Sequence, residues 1–155
     1  MHCTNLKIGT RLPLLRIQIT AKTIVMGASA SRDWQPQHHD AIWARSNANL
    51  PAIIMNNYTQ AGLISRYVTD WTGPDGRIGR LKFKMRKPIC PGDELLFNGS
   101  ITQVTKTIYR FSWLDLAVDM SVDDVAVTTA QLRLALPTAA NAASPWKCPS
   151  AQWVP

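Results

Sequence analysis

At 155 residues and 46% apolar composition, the chain can bury one good core and is too short for two ordinary domains. Only 17% of its residues are charged and six are tryptophans, which argues against disorder. Seventeen Lys and Arg against ten Asp and Glu leave a formal charge of +7, but the bases are scattered and no stacking motif accompanies them, so no nucleic-acid partner is expected.

Near the start, "LPLL" followed by "ASAS" has the outline of a secretory signal, but Arg16, Gln18 and Lys22 interrupt it. No stretch reaches the length of a membrane span. Cys3, Cys90 and Cys148 are odd in number and widely spaced, which suits reduced thiols, so a soluble cytoplasmic protein is expected. The β-branched residues of "LLRIQIT" (14–20) and "KTIVMGASAS" (22–31) predict a first strand running into a loop of small residues. At 40–47 a short helix is expected, begun by Asp40 as its N-cap.

"NNYTQAGLISRYVTDWTGPDG" carries the strongest helical signal in the chain. Asn57 with Gln60 three residues later resembles a capping box, and Gly73-Pro74 supplies the stop. Only Arg66, Thr69 and Asp70 look free for solvent, so the helix is expected to be surrounded. Ala61, Gly62 and Ser65 would let it lie close to a sheet. Four further strands are read at 79–89, 93–107, 108–120 and 123–136, the first with a basic face in "RLKFKMRK". Cys90-Pro91-Gly92-Asp93 fits a type II turn between two of them. The expected architecture is α+β, about five antiparallel strands around one long helix, in a single domain over 1–136. An Ala, Pro and Ser-rich tail follows at 137–155, loosely held unless Trp146 and Trp153 dock.

GxGxxG, P-loop, HExxH and GxSxG motifs are all missing, which leaves dinucleotide binding and serine-hydrolase chemistry without support. The unusual stretch is "DWQPQHHD" (33–40). Asp33 and His38 are five positions apart, about 140° on a helix and on opposite faces of a strand, so in regular structure they could not cooperate. Pro36 forces a bend, and a bend lets the side chains converge. One carboxylate and one imidazole on the same water are the minimum for general acid/base chemistry. A plainer reading makes Asp33 a turn cap and leaves both histidines in solvent. A metal site at His38, His39 and Asp40 lacks a further ligand, so no metal is expected.

"RDWQPQHHD" resembles the motif of MaoC-like (R)-specific enoyl-CoA hydratases, D-x-N-P-x-H-x-D, matched here by Asp33, Pro36, His38 and Asp40. The resemblance continues through "AIIMNNYTQAGLI" and the turn Pro91-Gly92-Asp93, over roughly the middle half of the chain. "RYVTDWTGP" looks most like small hydratase subunits of steroid side-chain breakdown. Gln35 stands where the family usually has Asn, and Met55-Asn56 where it commonly has His-Gly.

The resemblance implies a hotdog fold and an enoyl-CoA hydratase or 3-hydroxyacyl-CoA dehydratase with no cofactor beyond the coenzyme A of its substrate. Asp33 and His38 would be catalytic, and Asn56, Asn57 and Gln35 would serve the oxyanion and substrate. Arg86 and Lys87 are candidates for the coenzyme A phosphates, and the acyl chain would run past Ala61, Gly62 and Ser65. The implied partner is a second copy or a larger hotdog subunit. The rival readings are a hotdog thioesterase and a noncatalytic acyl-CoA-binding subunit.

Overall fold

The computed structural model describes Cys3, residues 6–109 and residues 111–155. Strand β1 (Leu15–Gln18) leads directly into helix α1 (Ala21–Ala30), which replaces the loop expected at 22–31. A capping box starts this helix: Thr20 accepts from the Thr23 N–H while the Thr23 hydroxyl faces the Thr20 N–H. Ala21, Ala28 and Ala30 are strong helix formers, and the β-branched Thr23, Ile24 and Val25 that suggested a strand are carried inside the helix because Ile24 is fully buried.

After α1 come a 3₁₀ turn at Pro36–His38, the short helix α2 (Ala41–Ala48) capped by Asp40 as expected, and the long helix α3 (Asn57–Thr72). Strands β2 (Arg77–Met85), β3 (Glu94–Lys106), β4 (Phe111–Val122) and β5 (Val125–Pro137) complete a five-stranded antiparallel sheet in the order β1-β3-β4-β5-β2. Gly92, at φ 99°, occupies the position of the β3-entry turn that demands a left-handed backbone, and the Asp93 N–H closes the turn on the Cys90 carbonyl.

Helix α3 presents Gln60, Ile64, Tyr67, Val68 and Thr72 to the inner face of the sheet, where Phe97, Ile101, Leu114, Leu116, Leu132 and Leu134 meet it. Gln60 is buried without loss because its Oε1 accepts from Thr128 and its amide donates to the Met55 carbonyl. The helix is not enclosed on all sides. Tyr58 and Gly62 are exposed on the opposite face, where no strand among the described residues reaches. Its N-cap is Asn56, not Asn57: the Asn56 side chain accepts from the Thr59 N–H, and Gln60 serves the core instead of a capping box.

The tail packs against the outer face of the sheet. Trp153 lies 4.7 Å from the Trp113 ring and 6.1 Å from Phe111, and the Arg77 guanidinium stacks over it at 3.7 Å. Trp146 donates from Nε1 to the Gly76 carbonyl at 3.1 Å.

Candidate active site

The end of α1 and the bend after it position the first acidic group. Ser31 closes the helix, Arg32 adopts a left-handed conformation at φ 54°, and the Asp33 N–H turns back to the Ala28 carbonyl at 2.9 Å. Pro36 then opens the 3₁₀ turn, at a position where a missing N–H costs nothing. The His38 and His39 N–H groups return to the carbonyls of Gln35 and Pro36. This turn swings His38 inward, where it is only 3% exposed.

His38 is held at both nitrogens. Nδ1 lies 2.7 Å from the Ile54 carbonyl oxygen, so it carries a hydrogen and donates, which leaves Nε2 directed at Asp33. Nε2 is 3.3 Å from Asp33 Oδ2. With a proton on Nε2 this contact is an ion pair, and that proton is one the pair could transfer. The same Oδ2 accepts from the Asn56 side-chain amide at 3.0 Å, whereas among the described residues Asp33 Oδ1 carries no hydrogen bond. One oxygen of the carboxylate is therefore anchored twice and the other is open.

Asn56 lies at the junction of two helix ends. Its Nδ2 also donates to Ser31 Oγ at 2.8 Å, and its Oδ1 accepts from the Thr59 N–H and hydroxyl at 3.0 and 2.6 Å. With 2% exposure and every polar atom of its side chain engaged, Asn56 turns that side chain into the protein, so the oxyanion role expected of it falls to its backbone N–H. Gln35 is exposed, and its Oε1 accepts from Gln37 Nε2 at 3.1 Å. Asn57 opens α3, half-buried, and its N–H and that of Tyr58 have no acceptor within the helix. Asp40 uses its carboxylate on the Ile42 and Trp43 N–H groups, and His39 is exposed. Arg86 and Lys87 are exposed at the end of β2, two to three residues before Ile89, whose carbonyl accepts from the Met55 N–H beside the start of α3.

Between α1 and α3, next to Ser31, runs a groove of about 360 Å³ lined by Gly27, Ala30, Tyr58, Gly62 and Leu63 among others. The groove was legible only in part. Gly62 is on it, whereas Ser65 turns its hydroxyl onto the Ala61 carbonyl. Ser31, Thr59 and the Ile54 carbonyl escaped the reading of the sequence. The N-x-x-T spacing of Asn56 and Thr59 is a readable cap signal, but nothing local links Ser31 to a partner 25 positions away.

Residues 5–112 match the sequence model of the MaoC like domain. The chain belongs to this family. A MaoC-like relative, the 3-oxo-4,17-pregnadiene-20-carboxyl-CoA hydratase beta subunit of Mycobacterium tuberculosis, is 36% identical over 97 residues, 63% of this chain and 74% of that protein. Among solved structures, the ChsH1-ChsH2 complex of the same organism superposes with a TM-score of 0.78 at 30% identity, covering 84% of this chain and 98% of that one. The (R)-hydratase from A. caviae involved in PHA biosynthesis superposes at 0.74 with 19% identity, covering 86% and 98%, and shows the hotdog fold alone.

Proposed function

We propose that this MaoC-like chain catalyses the reversible addition of water across the 2,3 double bond of an enoyl-CoA thioester, with Asp33 and His38 as the catalytic pair. One observation carries the reading: two groups that regular structure would separate meet at 3.3 Å beside the N-terminus of the central helix, with one carboxylate oxygen left open. In hydration, Asp33 Oδ1 takes a proton from water as its oxygen bonds to C3. His38 Nε2 delivers a proton to C2, and the electron pair of the double bond passes through the thioester oxygen. The free N–H groups at Asn57 and Tyr58, with the helix dipole behind them, are the donors suited to that oxyanion. Loss of the Oδ1 proton to solvent and uptake of a proton at His38 Nε2 reset the pair.

The substrate class we assign is a steroid side-chain 2-enoyl-CoA, supported by likeness to the pregnadiene-carboxyl-CoA hydratase beta subunit and by the α1–α3 groove open along Gly62. The partner we assign is a second hotdog subunit. Trp34 and Tyr58, 67% and 61% exposed, and the exposed Met26 and Ile42 on α1 and α2 are large apolar side chains of the kind that associating subunits cover. The designation of one relative as a beta subunit and the two-protein complex in which a structural neighbour was solved point the same way.

The test offers trans-2-enoyl-CoA substrates of medium-chain and steroid type to the purified chain, alone and with a co-expressed partner. Loss of the conjugated double bond and release of free thiol are followed separately. Hydration predicts bond loss without thiol release, reduced about 10²- to 10⁴-fold by Asp33→Asn or by His38→Ala. Thiol release would make it a thioesterase, and turnover indifferent to both substitutions would place catalysis in the partner.

A further inference from the structure

Asn56 does more than a helix cap requires. Capping needs only its Oδ1, which Thr59 occupies. Its Nδ2 reaches the other way, to Ser31 Oγ and Asp33 Oδ2. The Ser31 hydroxyl gives its hydrogen to the Gly27 carbonyl at 2.8 Å, so toward Asn56 it can act only as acceptor. The amide orientation is thereby fixed: flipping it would set Oδ1 against a carboxylate and Nδ2 against the Thr59 N–H. No other side chain of this size has an acceptor at one end and two donors at the other. Aspartate would cap and repel, serine would cap and fall short of Asp33, and glycine, common in the family here, would do neither.

We infer that Asn56 is a positioning residue for hydration, acting only through Asp33 and resting on the reading that Asp33 and His38 are the catalytic pair. Asn56 and His38 hold Oδ2 from two directions, so the carboxylate cannot rotate about its Cβ–Cγ bond. Oδ1 is then the oxygen that receives the proton from water. This role belongs to the Asn56 side chain and is separate from any contact of its backbone N–H with the thioester. Because Thr59 packs on α1 at Gly27 and Ser31 terminates α1, the hold on Asp33 is referred to the packing of two helices and not to a mobile loop.

The experiment compares Asn56→Ser, Asn56→Gly and Asn56→Asp with wild type in the protein as assembled for activity, reading kcat, KM and Tm. Asn56→Ser retains a capping hydroxyl and is expected to unfold near the wild-type Tm, with kcat lower by about 10- to 100-fold and KM changed little. Asn56→Asp is expected to lose more, since a like charge then faces Oδ2. The deciding measurement is the double variant Asp33→Asn/Asn56→Ser, whose residual kcat should equal that of Asp33→Asn alone. Losses that multiply, or an Asn56→Ser enzyme with wild-type kcat, would overturn the inference. If Asp33→Asn is itself fully active, it is the catalytic assignment that fails.

Discussion

At His38 the ring is held at Nδ1 by a backbone carbonyl and meets Asp33 at Nε2, so the imidazole is fixed in orientation as one half of a pair. Asp115 and Arg133 form a contrasting pair on the outer face of the sheet, with two parallel bonds of 2.8 Å and no part in the site. The Arg133 guanidinium holds the Asp115 carboxyl below its usual range, outweighing partial burial. A depressed folded-state value stabilises above the unfolded-state value and is lost as pH falls through the folded one. The Tm gap between wild type and Asp115→Asn is therefore expected to be full above about pH 5 and to close below about pH 4. Thermal melts from pH 7 to 3 check this; a gap that stays constant would show that the pair does not contribute through its charge.

At the scale of elements, the α1–α3 contact decides where Ser31, Asp33 and Asn56 meet. Gly27 sits inside α1, where alanine would ordinarily gain about 1 kcal/mol. Here a Cβ would lie 2.1 Å from Thr59 Oγ1 and 2.8 Å from its Cγ2, so the sign reverses. Gly27→Ala is expected to destabilise by about 1–3 kcal/mol and to lower hydratase activity through the displaced Thr59–Asn56 cap. Urea unfolding with an activity assay checks both. A Gly27→Ala protein as stable as wild type would mean that the helices shift apart freely. The edge strand β2 behaves as its alternation indicates: Leu81 and Phe83 pack inward while Lys82 and Lys84 face solvent. Its last residue, Met85, keeps the alternation with its Sδ 3.4 Å from the Gln60 amide, although it is 49% exposed where β2 ends.

At the scale of the whole molecule, the tail is part of the fold. Trp153 covers Phe111 and Trp113, and its indole also receives the Arg77 guanidinium from the start of β2, tying the chain's end to the sheet edge opposite β1. Trp153→Ala is expected to cost on the order of 1–3 kcal/mol, less than a fully buried tryptophan because this one is half-buried. Differential scanning calorimetry checks it, and an unchanged Tm would mean that the tail merely rests on the sheet. No described helix is long and apolar enough to cross a membrane. Trp34, before the 3₁₀ turn, and Tyr58, in the first turn of α3, remain largely exposed.

Local chemistry alone determined a good deal. Alternation marked the four long strands, Pro91-Gly92 the turn, Asp40 the cap of α2, and Pro36 the bend that lets Asp33 and His38 approach. These are short-range effects of backbone geometry, and neighbouring residues suffice to specify them. Helix α1 was misread because β-branched residues favour strands until burial of Ile24 and a threonine cap outweigh that preference. The inward turn of the Asn56 side chain and its bonds to Ser31 and Asp33 were decided by the tertiary structure. Each depends on which groups two helix ends and a loop bring together across 20 or more positions, and hydrogen-bond satisfaction in a buried site is a property of that assembly rather than of any segment.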